Sequence, residues 1–429
     1  MNRKIGAVLY HIALAALGAA VGAASGAVCG VFGAGLNAIV PFARGNFDTL
    51  VWFLPLAGGV TAVMFRLWGN KKQGMSYVLR SARGEGSVPL RNVAFQFVGT
   101  WSAHLFCASV GREGAAMQIG AAVGGGAGNL FSRPLSRLGG KDAARVLTVA
   151  GMAAGFSALF MTPLAAFCFA LEVTFAGKVG FRAVLPSLTA AFAGFFVSGL
   201  IGTRAHSYVL PEIPVFDWLL VAKGAGLGVL FGLCGLFFSF ALRAMRALFA
   251  RAAKNSVLRA AAGGVLLACL LFLAYNGRYS GLGADLVDAA FGGEQVYAWD
   301  WAVKILFTAA TLGAGFIGGE VTTMFAAGSL LGAALSDAFS VPPELAVCLG
   351  YAAVFASSTG TLIAPVLIGG EIFGFEAAPY LIAACLFSYV FSFGFSVYGR
   401  KSFLGKPLPP LVLRGKKKRF PYTPMKKLY

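Results

Sequence analysis

Four carboxylates in this chain lie inside apolar surroundings: Glu113, Glu172, Glu320 and Glu371. They stand out because the chain has only 16 acidic residues, most of them in hydrophilic loops. Glu113 follows Arg112 in the stretch Gly111-Arg112-Glu113-Gly114-Ala115-Ala116-Met117-Gln118-Ile119-Gly120. Glu320 and Glu371 each follow a glycine pair, Gly318-Gly319 and Gly369-Gly370. Glycine ahead of a helix start leaves backbone N–H groups approachable, and helix N-termini attract anions through those donors and the helix dipole. A carboxylate placed there feels opposed influences. Burial favours the neutral acid, whereas the dipole and a neighbour such as Arg112 favour the anion. That balance suits a group that occupies an anion site and also takes up a proton. Structural ion pairs have the same arrangement, so the surrounding elements must decide.

Those elements are membrane helices. The 429 residues are 58% hydrophobic and only 12% charged, with mean hydropathy +0.78; a soluble domain carries about 25% charged residues. An ionisable side chain at bilayer depth costs roughly 2.5–3.5 kcal/mol on insertion scales, which makes it a functional-site candidate by default. The 58 glycines suit close helix packing and broken helices better than a simple up-and-down bundle. A net charge of +19 resembles a nucleic-acid signal until its distribution is read: the basic residues cluster in short loops and the tail, as membrane orientation requires. Seven single cysteines without a CxxC pair or Cys/His cluster point to no disulfide, metal or other cofactor. The apolar stretch from Ile5 to Val40 is too long for a signal peptide and reads as an uncleaved first membrane segment.

Apolar segments fall near 6–40, 49–68, 93–110, 115–131, 143–176, 183–201, 217–242, 257–275, 301–316, 321–339, 345–368 and 377–397. Several are too short or too long for one crossing, which predicts tilted, kinked and re-entrant helices. Basic residues crowd 66–91, 133–145, 243–259 and the tail, whereas the 276–300 loop holds Asp285, Asp288, Glu294 and Asp300 against Arg278. The positive-inside rule then puts both termini in the cytoplasm and the 276–300 loop outside. Gly111, Glu113 and Met117 recur as Gly318, Glu320 and Met324 at an offset of 207 residues. The two copies are approached from opposite faces, the pattern of an inverted-topology repeat whose broken helices meet at the midplane around a binding site. The expected organisation is a first transmembrane half over 1–215, an inverted second half over 216–400, and a short basic cytoplasmic tail over 401–429, a solvated or headgroup-touching end.

At these residues the chain resembles the CLC family of chloride channels and proton-coupled anion transporters. Gly111–Gly120 is similar to its GREGxxxQxG signature, with Ala115 where many members have proline. Phe169-Ala170-Leu171-Glu172-Val173, after Thr162-Pro163-Leu164-Ala165, resembles the helix that follows a short turn in the family. Gly315-Phe316-Ile317-Gly318-Gly319-Glu320-Val321-Thr322 occupies the second-half anion motif. Its GGEVT wording, Ala103-His104-Leu105-Phe106 and the FALEV run look most like the fluoride/proton antiporter branch. The resemblance covers about residues 60–400.

It implies an all-α CLC-type fold with two inverted halves, acting as a proton-coupled antiporter that exports fluoride. It also implies a homodimer with one pore per subunit in a bacterial inner membrane. Glu113 would be the gating, proton-carrying glutamate. Backbone at Gly111, Arg112, Gly114, Val321 and Thr322 would line the anion path, and Tyr398 would close its inner side. Met75, beside Ser76, stands where chloride-selective members place a serine, and Val173 where some place an inner glutamate; both fit the fluoride branch. Glu320 and Glu172 are proton-path candidates. Departures from the family are Thr323 in place of a proline, Ala326-Ala327 in place of bulkier residues, Phe393-Gly394-Phe395 in place of a Gly-His pair, and a divergent Ser357–Pro365.

Plainer readings stand beside these. His104 reads as a packing or hydrogen-bonding histidine before a proton relay, and His206 as solvated in an external loop. Glu172 is equally read as an internally hydrogen-bonded structural carboxylate, and for Glu371 the plain reading comes before a functional one. A chloride channel or chloride/proton exchanger is the alternative within the fold. An intramembrane enzyme is remote: Gly155-Phe156-Ser157-Ala158 only loosely suggests a nucleophile turn, and neither a later membrane histidine nor an HExxH exists.

Overall fold

Two of the apolar runs break in the middle, and those breaks shape the molecule. The 143–176 run becomes two helices because Met161 turns left-handed (φ 59°) and Pro163 starts a new helix. The 345–368 run divides the same way at Gly360 (φ 64°). A left-handed residue closes a helix by redirecting its last amide, and proline suits a first helical position because its missing donor would be unpaired there anyway.

The computed structural model describes residues 3–68, 74–138, 142–175, 181–205, 207–210 and 216–400. The expectations for the tail and for His206 therefore lie outside the described residues. The first half runs α1 (Arg3–Gly45), α2 (Phe47–Leu50), α3 (Leu54–Trp68), α4 (Met75–Ala82), α5 (Arg91–Leu105), α6 (Glu113–Arg137), α7 (Ala143–Phe160), α8 (Pro163–Phe175) and α9 (Phe181–Leu200). The second runs α10 (Trp218–Ala252), α11 (Ser256–Leu273), α12 (Ala284–Phe291), α13 (Asp300–Ala314), α14 (Val321–Phe339), α15 (Pro343–Thr359), α16 (Ile363–Phe373) and α17 (Ala378–Phe391). A hairpin of two-residue strands, β1 (Phe395–Ser396) and β2 (Gly399–Arg400), follows.

The halves repeat one another. The eight-residue helices α4 and α12 both start after a left-handed glycine, Gly74 (φ 82°) and Gly283 (φ 83°). Helix α6 packs on α7 as α14 packs on α15, and α1 on α9 as α10 on α17. Close approach in both helix pairs depends on facing glycines. A Cβ at Gly151 would collide with the Gly120 carbonyl, and one at Gly350 with that of Gly328. Small residues at helix crossings let backbones come close where lipid supplies no hydrophobic drive between helices.

Seven helices among the described residues are long and apolar enough to cross a membrane. The outer surface is apolar as well, with Phe181 84%, Leu200 88% and Trp218 75% exposed. An outside this greasy needs lipid, and the protein is a multi-pass membrane protein. The interior contains the ends of helices: α6 and α14 begin among buried residues, where their unpaired N–H groups must find partners.

Candidate anion site

The two halves touch through backbone at the starts of α6 and α14. Gly111 and Gly319 form an isolated antiparallel bridge, each amide donating to the other's carbonyl at 2.6 Å. Only residues without side chains allow this approach, since a Cβ at Gly319 would lie 2.7 Å from the Gly114 nitrogen. The bridge sets the N-termini of two helices side by side, and both dipoles converge on one place.

Glu113, 2% exposed, puts its carboxylate there. Its Oε2 accepts from the Arg112 amide at 3.0 Å, from the Thr322 amide at 3.3 Å, and from the Thr322 hydroxyl in a short contact. The Arg112 guanidinium stands 3.8 Å from Oε1 and donates to Asn37 Oδ1 at 3.1 Å. The carboxylate thus occupies a nest of donors drawn from two helix starts, a place that any small anion would fit. Gly114, next in α6, faces Gly319, and Glu320 Oε2 lies 3.9 Å from where a Cβ at Gly114 would stand.

Glu320 stands at the N-cap position of α14, without a capping bond from its side chain, and is 8% exposed. Its electrostatic neighbours are Arg246, Tyr398 and Glu113. The buried Tyr398 hydroxyl has Glu320 as its foremost charged neighbour, although the pair falls outside hydrogen-bond geometry. Tyr398 is held by the hairpin, which Arg243 secures by donating to the Ser396 carbonyl at 2.6 Å, and Val397 by donating to that of Ser358 at 2.8 Å.

Met75 begins α4 and is 7% exposed, with Ser76 partly buried after it. It joins the same buried cluster as Met117, Val321 and Phe325, against which Tyr398 also packs. The structure therefore brings Gly111, Arg112, Glu113, Gly114, Glu320, Val321 and Thr322 together, with Met75 and Tyr398 in the same core.

Glu172 is placed elsewhere. Its Oε1 accepts from the Leu362 and Ile363 amides at 3.0 and 3.1 Å, and its Oε2 from Ala364 at 2.9 Å, all at the start of α16. Glu371, on α16, returns the arrangement, accepting from the Leu164 and Ala165 amides of α8 at 3.0 and 2.9 Å. Each helix thus carries the cap of the other, and the geometry favours the structural reading of both carboxylates over a proton path through Glu172. His104 is 2% exposed and has no hydrogen-bond partner for either ring nitrogen; the Gly111 backbone lies within electrostatic reach but short of bonding geometry.

Sequence reasoning missed several residues. It named Thr322 for its backbone, yet the hydroxyl also binds Glu113. Tyr351 stacks on Phe325 with ring centroids 4.1 Å apart and interacts electrostatically with Arg112 and Glu113. Phe325 also meets Phe160 edge-on at 5.4 Å and Phe355 at 4.9 Å, and Phe169 packs on Phe156 and Phe355. Aromatic edges carry partial positive charge, so such a cluster can face an anion without a cation. Lys304, fully buried, donates to Ser109 Oγ at 3.1 Å and to the carbonyls of Tyr279, Ser280 and Gly281. Its only sequence signal is a charge inside the 301–316 apolar run, which names no partner.

Residues 57–392 match the family described as "Voltage gated chloride channel". The chain is 35% identical over 364 residues to the "Chloride/fluoride channel protein" of Pseudomonas syringae pv. tomato, covering 83% of this chain and 79% of that one. Among solved structures, a "CLC-type fluoride/proton antiporter" is 40% identical with TM-score 0.87, over 91% of this chain and 98% of that one. A "slow cyanobacterial Cl-/H+ antiporter" is 18% identical with TM-score 0.78, over 91% and 96%, and shares the fold.

Proposed function

Because the chain belongs to the voltage-gated chloride channel family, we propose that it is a proton-coupled anion antiporter that exports fluoride in exchange for protons. The observation that carries this reading is the Glu113 carboxylate seated on the converging amides of Arg112 and Thr322. A carboxylate in an anion's place blocks the path while it is charged. On taking a proton it loses much of its hold on those donors and gives way to an anion, so one group serves as gate and proton carrier.

Fluoride is small and strongly hydrated, so a site for it must replace much of its water with donors. The donor nest supplies amides and a hydroxyl, and the Phe325 cluster supplies aromatic edges. Met75 at the start of α4 presents a thioether where a hydroxyl would suit a larger halide. The 40% identity to a fluoride/proton antiporter supports the same choice. Tyr398 closes the inner side, and Glu320 stands beside the gate as a proton-path residue. The protein acts as a homodimer with one pore per subunit in the bacterial inner membrane, its termini in the cytoplasm, and performs transport rather than enzymatic chemistry.

A second reading, a passive channel for chloride and fluoride, draws on the name of the Pseudomonas relative. Flux of fluoride and of chloride from proteoliposomes, with pH recorded in parallel, separates the two. Antiport requires proton uptake locked to fluoride release; equal passage of both halides without proton movement overturns it.

A further inference from the structure

Three hydroxyls run in a row from a buried ammonium to the start of α14. Lys304 Nζ donates to Ser109 Oγ at 3.1 Å. Ser109 Oγ lies 3.0 Å from Thr308 Oγ1, which lies 3.0 Å from Thr323 Oγ1. All four residues are fully buried. Lys304 and Thr308 stand one turn apart on the same face of α13. Ser109 comes just before the Gly111 bridge, and Thr323 is in the first turn of α14. The row thus passes from the second half of the chain through the first and back. It ends next to Thr322, whose amide and hydroxyl hold the Glu113 carboxylate.

The ammonium gives this row a direction. It has donors only, and its other contacts are the carbonyls of Tyr279, Ser280 and Gly281. Each hydroxyl brings one hydrogen, so three hydrogens serve two hydroxyl–hydroxyl links. Among the described residues none of the three oxygens donates anywhere else, and one hydrogen is left over. A positive charge repels hydroxyl hydrogens, more strongly the nearer they are. The favoured order is therefore Ser109 donating to Thr308 and Thr308 to Thr323, with the spare hydrogen on Thr323 at the far end. The Thr323 amide also lacks an acceptor among the described residues, since the first backbone bond of α14 is donated by Met324. Buried donors are bonded in the great majority of cases. Two unused donors on one buried residue, at a helix start beside the gate, call for an acceptor. A proline at this position would supply neither.

We propose that Thr323 is a specificity-determining residue of the anion path, whose hydroxyl and amide donate to fluoride when Glu113 gives way. Lys304, acting through Ser109 and Thr308, is the positioning residue that keeps the Thr323 hydroxyl turned out as a donor. The small halide gains more from these donors than chloride does, because the attraction between a charge and a donor rises as their centres approach. Fluoride also has more hydration to replace. No covalent bond changes in this step. The proposal rests on the fluoride reading above and deepens it by naming a residue that chooses the halide.

The test compares the full-length wild type with Thr323→Val, Thr323→Ala and Thr323→Ser. Fluoride and chloride fluxes are measured separately in proteoliposomes, and fluoride affinity by isothermal titration of the purified protein. In Thr323→Val and Thr323→Ala the fluoride-over-chloride rate ratio and the fluoride affinity should each fall about tenfold, as loss of one hydrogen bond to a charged group would cause. Thr323→Ser should return both to the wild-type values. A ratio that stays at the wild-type value overturns the proposal, including when both halide fluxes fall together, as they would if the row only packed the helices. If Thr323→Val and Thr323→Ala fail to fold while Thr323→Ser folds, the hydroxyl serves the fold and the proposal is likewise overturned. If the wild type passes chloride as readily as fluoride, the fluoride reading fails by itself. The titration then decides alone: an affinity lost in Thr323→Val and restored in Thr323→Ser keeps Thr323 as an anion donor, and an unchanged affinity removes it.

Discussion

Gly111 and Gly319 exchange both of their backbone hydrogen bonds, and this glycine pair is where the two halves of the chain are joined behind the gate. A Cβ at Gly319 would stand 2.7 Å from the Gly114 nitrogen, and backbone has little freedom to yield. Gly319→Ala should push the starts of α6 and α14 apart and spread the donors around Glu113. Small misplacement in a preorganised site costs on the order of 100-fold in rate. Fluoride turnover in proteoliposomes should fall by about 10- to 100-fold while the protein still elutes as a single species; turnover near wild type would show that the pair is not needed to hold the site.

Glu113→Gln keeps the shape of the gate and removes its titrating group. Proton movement coupled to fluoride should fall by about 100-fold, the lower end of what a positioned proton-transfer group contributes. The measurement is external pH during fluoride release. Retained proton uptake would assign the carrier to another residue, Glu320 first.

Thr322 contributes a hydroxyl as well as an amide to the Glu113 carboxylate. A hydrogen bond to a charged group is worth about 1.5–3 kcal/mol. Thr322→Val removes the hydroxyl at constant shape, so the gate should leave the donor nest more readily, and fluoride leak without proton movement should rise about tenfold or more. Thr322→Ser should restore the wild-type leak. A leak unchanged in the valine variant would mean that the amides alone hold the gate.

What the sequence made legible follows from range. Glu113 and Glu320 were visible because the glycines that admit an anion are their immediate neighbours, and the repeat tied them to opposite faces of the membrane. Kinked and re-entrant helices were expected from the over-long runs, and the resemblance marked a short turn at Thr162–Ala165, but hydropathy averages across a turn of two or three residues and placed a break at neither Met161 nor Gly360. Local rules look for helix caps within one turn of the helix start. Glu172 and Glu371 lie about two hundred residues from the amides they bind, so no such rule could pair them. Phe325 and Tyr351 were lost among 39 phenylalanines and 12 tyrosines, where composition distinguishes no single ring. Lys304 was legible as a charge in an apolar run, but not the cage of three carbonyls around it, which comes from the loop before α12.

The exchange of caps between α8 and α16 yields a prediction that separates stability from transport. Glu172→Gln keeps one acceptor but gives up the charge that faces the α16 N-terminus, an interaction worth about 0.3–2 kcal/mol depending on burial. Glu371→Gln does the same at α8. Each variant should lower the thermal unfolding midpoint of the detergent-purified protein while fluoride moved per proton stays at the wild-type value. The two helices lie against each other, so the double variant should depart from the sum of the singles by about 0.5 kcal/mol or more, as residues sharing one interaction network do. A changed fluoride-to-proton ratio in Glu172→Gln, with the midpoint unmoved, would instead return Glu172 to the proton path and leave α16 to be held by packing alone.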